Sequence, residues 1–377
     1  MATKRKPLHS SPRMNFRSNV GENAEPKGTK PTAPPTSMSE VINLIILHQC
    51  KRIIFYNVNL KVGIYLAAVF IISLVTDHAT IPRTYFSRSN NIFNIYFVKI
   101  GWLWTLLLTV PFILLTAYTY CCGNRKLILK NHLLRLGVAT AFWLFFTKSF
   151  NYIEVQYGYC KIKGFSTKPS CLRNGHIWNG FDISGHTFLL IYSSLILMEE
   201  AKAIIGWEGI RDHIRNEEHY RSQQQLQVSS NPLRYLNENE LYILKTSYSK
   251  VTPYIRILFL AMTMLLVLWD VMLVSTILYF HIMIEKFVAA VLAILVWYFT
   301  YRYWFAQTKM LPTLPGTGSF KYQQAKRPVP TTNRKSSLSN PANGKTLPKF
   351  MGMPLYGLKN LDDQYNNDST NELNTQS

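Results

Sequence analysis

Two histidine blocks contain the side chains whose types and spacing fit catalysis. The first runs from Asp182 to His186, where a carboxylate, Ser184, Gly185 and an imidazole precede an apolar segment. Residues four apart share one face of a helix, so we expect Asp182 and His186 on one face, with Gly185 leaving space beside the ring. The simpler interpretation is that Asp182 and Ser184 cap a membrane helix. Ionisable groups at such a position are costly unless they are paired, solvated or used.

The second block holds His281, followed four residues later by Glu285 and then by Lys286. Histidine serves near neutral pH as nucleophile, base or acid, so two rings can divide phosphoryl transfer between attack on phosphorus and protonation of the leaving oxygen. An attacking ring needs a carboxylate to orient it, and a helical turn would bring Glu285 within reach of His281. Lys286 is then a candidate cation for the phosphate oxygens.

Six apolar segments must position these blocks. The net charge of +21 fits nucleic acid binding, but several windows nearly free of charge are long enough to span a bilayer. The sequence therefore predicts an all-α, multi-pass membrane protein without a nucleic-acid partner. We predict spans over residues 58–75, 92–118, 134–153, 183–203, 255–280 and 287–305.

The basic loops predict the topology. Arginine and lysine cluster before the first span, between spans two and three, between spans four and five, and after span six, which places both termini in the cytosol. His186 begins span four and His281 ends span five, so both histidines lie at the opposite face. The predicted membrane domain covers residues 40–306. The polar, proline-containing tails 1–39 and 307–377 are predicted to be disordered.

Cysteine and metal chemistry are less well defined by the sequence. No Cys, His and Asp set has the spacing of a metal site, so a metal-free mechanism is favoured, and a zinc site of His176, His186 and His281 is the alternative. Cys160 and Cys171 share the loop on the histidine side, where a disulfide is permitted, but the sequence does not show that they meet.

These blocks resemble the signature of the fat storage-inducing transmembrane (FIT) proteins. The likeness covers about residues 40–306 and rests on two runs, Gly180-Phe181-Asp182-Ile183-Ser184-Gly185-His186 and Tyr279-Phe280-His281 with Glu285-Lys286. The resemblance implies a helical core similar to that of the lipid phosphate phosphatases, location in the endoplasmic reticulum and a part in lipid droplet formation. It further implies lumenal cleavage of the diphosphate of fatty acyl-CoA, and binding of diacylglycerol and triacylglycerol. From the residues themselves we expect no cofactor.

The same resemblance implies individual roles. Ser184-Gly185-His186 matches the Ser-Gly-His of the phosphatases, whose histidine protonates the leaving group, while His281 matches the attacking histidine and Glu285 its orienting aspartate. The chain departs from that pattern because Ile183 replaces a proline, no arginine lies between 271 and 281, and the Lys-x6-Arg-Pro phosphate motif is absent. Arg173, Lys168 and Lys286 are therefore the candidate phosphate ligands.

A different class of function is also open. The chain could bind and partition neutral lipid without catalysis, with the histidines serving as polar residues at the membrane interface. Replacement of His281 distinguishes the two readings, because a nucleophile has no substitute whereas a binding protein tolerates its loss.

Overall fold

The protein is almost entirely helical. The computed structural model describes residues 37–79, 81–162, 167–222, 231–307 and 311–322, with the backbone of 349–350 and 353–354. The α-helices of this part are α1 Met38–Ile54, α2 Val58–His78, α3 Gly101–Tyr120, α4 Arg125–Leu127, α5 Leu134–Tyr157, α6 Lys168–Arg173, α7 Gly185–Glu200, α8 Gly209–Ser222, α9 Glu238–Tyr279 and α10 Met283–Trp297. π-Helical turns, Ile128–Leu133 and Tyr298–Trp304, join α4 to α5 and extend α10.

Five helices of the described chain are long and apolar enough to cross a membrane: Val58–His78, Gly101–Tyr120, Arg125–Tyr157, Glu238–Tyr279 and Met283–Trp304. They overlap the predicted spans one, two, three, five and six, so the prediction of an all-α, multi-pass membrane protein is confirmed. The predicted span 183–203 corresponds to α7, which has 16 residues. At 1.5 Å per residue α7 is roughly 24 Å long, short of a hydrocarbon layer of about 30 Å. The sixth span therefore remains a prediction.

Helix α7 occupies the centre of the helical body. Its side chains are buried from Thr187 to Glu200, and it packs against α3, α9 and α10. Its aromatic rings stack on those of its neighbours, as Phe188 does on Phe146 and Tyr192 on Trp102. The outer helices instead expose large apolar side chains to the surroundings, which is the arrangement expected in lipid. Helix α7 is thus a short central helix enclosed by protein.

Two polar centres connect the helices inside this body. Lys61 of α2 pairs with Asp270 of α9 at 2.9 Å, and Tyr65 donates to the same carboxylate at 2.5 Å. Arg135 of α5 makes a two-pronged ion pair with Glu200 of α7, at 2.8 and 2.6 Å, with both side chains buried. Fully buried charges such as those of Arg135 and Glu200 persist only when paired and hydrogen-bonded.

The segment after α10 also packs on the helices. The carbonyl of Thr313 accepts from Arg135 at 2.6 Å, and the backbone N–H of Ser319 donates to the carbonyl of Tyr120 at 3.0 Å. Tyr322 is buried and donates to the carbonyl of Ala203 at 2.6 Å. These residues fall in the part assigned above to the C-terminal tail, so the ordered body extends past residue 306.

The chain divides into two units, Met1–Ala325 and Lys326–Ser377. The second contains a two-stranded antiparallel ladder, in which β3 Lys349–Phe350 pairs with β4 Met353–Pro354. In the first unit, β1 Tyr159–Cys160 pairs with β2 Trp178–Asn179. The sequence predicted no strands, and each of these has two residues. The predicted disorder of residues 1–36, and of most of 323–377, lies outside the described residues.

Candidate active site

His281 lies in the sharp connection between α9 and α10. Its backbone has a left-handed φ of 59°, which costs an L-residue other than glycine or asparagine about 1–2 kcal/mol. Ring atom Nδ1 lies 3.2 Å from Oε2 of Glu285 and 3.7 Å from Oδ2 of Asp182, and the His281 side chain is 19% exposed. Backbone strain that persists at a titratable residue is a feature of functional sites.

Glu285 joins the two histidine blocks. While Oε2 faces His281, Oε1 accepts a hydrogen bond from the backbone N–H of Asp182 at 3.2 Å. The backbone carbonyl of Glu285 also accepts from the N–H of Ser184 at 3.4 Å. The first turn of α10 therefore fixes the chain that enters α7, a contact that the sequence did not predict.

The start of α7 differs from the prediction. The helix begins at Gly185, and the Ser184 hydroxyl caps it by accepting from the N–H of Thr187 at 3.3 Å. Asp182 precedes the helix in non-helical chain, so the prediction that Asp182 and His186 share a helical face is wrong. The carboxylate of Asp182 instead faces His281, because the capping serine interrupts the helical spacing.

His186 is the second ring of the site. It lies in the first turn of α7, within electrostatic range of both His281 and Lys99. A Cβ atom added at Gly185 would meet no atom within 4 Å, so the space beside this turn is open. The N–H groups of the first turn of a helix lack intrahelical partners and favour anions, which makes this end of α7 suited to a phosphate.

The electrostatic surroundings of Asp182 are mixed. Partial burial raises the pKa of this carboxyl above its ordinary value, and the negative charges of Glu154 and Glu285 raise it further. His281 and Lys168 act in the opposite direction. Asp182 therefore keeps its proton to a higher pH than a free aspartate does, and its charge beside His281 depends on pH.

Two predicted phosphate ligands have other contacts. Lys286 is buried, and its ammonium donates to the carbonyl of Ile277 near the end of α9 at 2.8 Å. Arg173 is exposed at the end of α6, and no contact joins it to either histidine in the described structure. Lys168 pairs with Glu154 at 2.5 Å. The structure thus brings together Asp182, His281 and Glu285 but does not bring Arg173 or the Lys286 ammonium to them.

Sequence reasoning missed Lys99 and Asp77. Lys99 lies between a π-helical turn, Asn94–Val98, and the start of α3. The first residue of α3, Gly101, packs closely on Leu189 of α7, because a Cβ added at Gly101 would stand 3.0 Å from the Leu189 Cδ2 atom. A lysine inside the predicted span 92–118 was the available signal. Asp77 accepts from the N–H of Met283 at 2.8 Å and so caps α10 directly after His281.

A crosslinked loop borders the site. Cys160 and Cys171 form a disulfide with their Cα atoms 5.9 Å apart, which answers the question that the sequence left open. The indole of Trp178 donates to the carbonyl of Glu154 at 3.2 Å, and a Cβ at Gly158 would lie only 2.2 Å from that indole nitrogen. Glycine at 158 is therefore required for the close approach that holds the loop.

Metal-binding potential can be judged from the donor set. In the described ranges, no three His, Cys, Asp or Glu side chains gather as a metal site requires. The alternative zinc site of His176, His186 and His281 gains no support from this arrangement.

Comparison with known proteins identifies the family. The model of the fat storage-inducing transmembrane protein family matches residues 82–155 and 153–301. The chain is 48% identical to acyl-coenzyme A diphosphatase FITM2 of Drosophila melanogaster, over 94% of this chain and 93% of that protein. It is 34% identical to the protein of that name from Danio rerio, over 64% of this chain and 82% of the relative. It is 31% identical to the protein of that name from Homo sapiens, over 64% of this chain and 81% of the relative. No solved structure matches the chain significantly. The chain belongs to the fat storage-inducing transmembrane protein family.

Proposed function

We propose that the protein is a fatty acyl-CoA diphosphatase, in which His281 attacks phosphorus, His186 is the general acid and Glu285 orients His281. The observation that supports this most strongly is the contact of His281 Nδ1 with the Glu285 carboxylate at 3.2 Å. A ring held through Nδ1 has Nε2 available for attack, and the carboxylate stabilises the positive charge that the ring gains. The relatives are named acyl-coenzyme A diphosphatase, which agrees with this chemistry.

The proposed reaction has two steps. His281 Nε2 forms a bond to one phosphorus of the diphosphate as the bond from that phosphorus to the bridging oxygen breaks. The bridging oxygen leaves with a proton from His186. Water, deprotonated by His186, then cleaves the nitrogen–phosphorus bond. One water is consumed, and the products are acyl phosphopantetheine and adenosine 3′,5′-bisphosphate.

The phosphates need positive partners in this scheme. We assign this role to the first turn of α7, where Gly185 leaves room for a phosphate and Ser184 fixes the helix start, together with Lys99. Asp182 acts as a second carboxylate near the His281 ring. Arg173 and Lys286, expected from the sequence, would reach the phosphates only if their side chains moved.

We further propose that the protein resides in the endoplasmic reticulum membrane, with both termini cytosolic and the histidines facing the lumen. The Cys160–Cys171 disulfide supports this orientation, because it belongs to the loop that leads into Asp182 and disulfides persist in oxidising compartments. In that location the hydrolase would adjust the acyl-CoA available for lipid droplet formation.

A second candidate function is non-catalytic binding of diacylglycerol and triacylglycerol, which would partition neutral lipid into droplets. Asp270 favours it: this carboxylate lies within a membrane-crossing helix, and its side chain is 38% exposed despite the pair with Lys61. A partly exposed carboxylate can accept a hydrogen bond from the hydroxyl of diacylglycerol.

Hydrolysis of oleoyl-CoA by purified protein in detergent containing EDTA distinguishes the candidates. Wild type is compared with His186→Asn and His281→Asn, since asparagine tolerates the left-handed backbone of residue 281. The exposed His48 on α1 provides the matched control, His48→Asn. We expect release of adenosine bisphosphate by wild type and the control, and a loss of at least about a thousandfold in the other two. Equal rates in all four would refute catalysis by these histidines, and loss of wild-type activity with EDTA would indicate a metal.

A further inference from the structure

A groove between α1 and α9 lies at the end of the helical body opposite the histidines. Arg256 lines it, and Tyr279 ends α9 beside His281. At 1.5 Å per residue, the stretch of helix between Arg256 and Tyr279 measures roughly 35 Å. The hydrocarbon layer of a bilayer is about 30 Å thick. The groove therefore lies at the membrane face that is remote from the candidate active site.

The inner part of the groove is apolar. It encloses about 300 Å³ between side chains of both helices, among them Ile46, Leu47, Cys50, Ile257, Phe259 and Leu260. Ile46, Ile257 and Leu260 are exposed, so this part opens toward the lipid that surrounds the helices. Its shape and lining suit an acyl chain rather than a polar solute.

The outer part of the groove is charged. A cavity of about 520 Å³ between α8 and α9 shares Pro253 and Arg256 with the apolar part, so the two cavities adjoin at these residues. Its cations are matched by acids in four pairs: Arg256 with Glu208, Arg211 with Glu40, Arg215 with Asp212, and Lys245 with Glu218. The four pairs leave the charged part of the groove close to neutral. One further basic residue lies nearby.

That residue is Lys51. It lies half-buried on α1 next to Cys50, within electrostatic range of Arg256 and Glu208, and its ammonium makes no ion pair or hydrogen bond with any residue in the described ranges. Burial lowers the pKa of Lys51, and the positive charge of Arg256 lowers it further, while Glu208 opposes the change. One cation without a partner in the described ranges thus lies beside Cys50, which lines the apolar part, and within electrostatic range of Arg256, which lines both parts.

We infer that this groove binds an anionic phospholipid of the adjacent leaflet. The head-group phosphate lies between Lys51 and Arg256, where it supplies the missing negative charge, and one acyl chain follows the apolar floor. A zwitterionic phospholipid fits less well because its head group carries its own cation. The site is separate from the histidines and does not depend on hydrolysis.

Spin-labelled lipids test the site directly. Full-length protein is reconstituted in phosphatidylcholine bilayers with a trace of labelled phosphatidylglycerol or labelled phosphatidylcholine, and the motionally restricted fraction of each is measured. Neither lipid contains an anhydride bond. Wild type should restrict phosphatidylglycerol preferentially, and Lys51→Gln should reduce that preference about fivefold, as expected for one lysine near an anionic lipid. Arg52→Gln, an exposed cation on the same helix, is the matched control. Because salt screens an exposed charge more than a half-buried one, this change should leave the preference within about twofold of wild type.

A second variant tests the chain-binding part. Ile46→Trp fills the apolar groove without changing charge, and it should reduce the restricted fraction of phosphatidylglycerol while oleoyl-CoA hydrolysis in detergent stays at the wild-type rate. An equal loss in Lys51→Gln and Arg52→Gln would refute a specific site and indicate only surface attraction. An unchanged preference in folded Lys51→Gln would also refute it. Displacement of the label by acyl-CoA, but not by unlabelled phosphatidylglycerol, would overturn the assignment to a phospholipid.

Discussion

Replacement of Glu285 by glutamine tests the contact that joins the two histidine blocks. The change keeps the shape and the hydrogen-bonding capacity of the side chain, so the Asp182 N–H at 3.2 Å still has an acceptor. It removes the negative charge that faces the His281 ring at 3.2 Å. Stability should therefore change little, while the step in which the ring becomes positive should slow.

The size of the effect follows from the two distances. Unit charges 3.2 Å apart attract by about 5 kcal/mol at an effective dielectric constant near 20. Asp182 provides a second negative charge at 3.7 Å, but its side chain is 52% exposed and its attraction is weakened by solvent. With this partial replacement we expect a net loss of about 2–3 kcal/mol, which is a decrease of about 30- to 150-fold in kcat.

The assay is release of adenosine bisphosphate from oleoyl-CoA under saturating substrate, with monodispersity of each sample checked by size-exclusion chromatography. Glu218→Gln is a matched control, because Glu218 loses the same charge from an exposed ion pair with Lys245 on the opposite face. The loss of kcat in Glu285→Gln combined with Asp182→Asn should exceed the product of the two single losses, since neighbouring charges that replace each other are not additive. A Glu285→Gln enzyme within threefold of wild type, or one as inactive as His281→Asn, would refute this reasoning.

Four other predictions concern charge, packing and space. Because the pKa of Asp182 is raised in the folded protein, its ionisation opposes folding; Asp182→Asn should therefore raise the unfolding temperature increasingly from about pH 4 upward and leave it unchanged in acid. Arg135→Met leaves the buried Glu200 without its cation, although the Tyr301 hydroxyl still donates to it at 2.7 Å. The change should cost about 3–5 kcal/mol, seen as a lower unfolding temperature in detergent, and adding Glu200→Gln should recover part of the loss. Gly185→Ala should leave the unfolding temperature unchanged, because the added Cβ meets open space, but should lower kcat/KM if a phosphate uses that space. Gly158→Ala, whose Cβ would stand 2.2 Å from an indole nitrogen, should destabilise the loop and expose it to proteolysis. An unfolding temperature like that of wild type in Arg135→Met, or in Asp182→Asn above about pH 4, would contradict the first two predictions. Wild-type kcat/KM in Gly185→Ala, or wild-type resistance to proteolysis in Gly158→Ala, would contradict the other two.

The helices were predictable because hydropathy acts locally along the chain. Segments of apolar residues identified the five long helices. The basic loops add a predicted orientation of these helices in the membrane. Hydropathy cannot tell a helix buried by lipid from one buried by protein, so the assignment of α7 as a span stays a prediction. Ser193, Ser194 and the buried Glu200 mark α7 as protein-enclosed only once its neighbours are known.

The candidate site was predictable in part. The spacing of His281 and Glu285 gave their contact, although it is made from a left-handed residue before α10 and not from one helical turn. The position of Asp182 beside His281 could not be derived, because it depends on two segments about a hundred residues apart in the chain. The position of Lys99 near His186 could not be predicted for the same reason. The contact of Lys286 with Ile277 was also not predictable, because it depends on how α10 turns against α9.

The covalent step is the most direct test of the two-histidine mechanism. Wild type and His186→Asn, each in molar excess over oleoyl-CoA, are mixed with this substrate. The reactions are quenched in alkali to preserve a nitrogen–phosphorus bond, and the protein is digested for mass spectrometry. We expect the peptide containing His281 to carry the mass of one half of the substrate during the first turnover and to lose it as product appears. Product formation in the first turnover without an adduct on His281, or with an adduct on another residue, would contradict attack by His281.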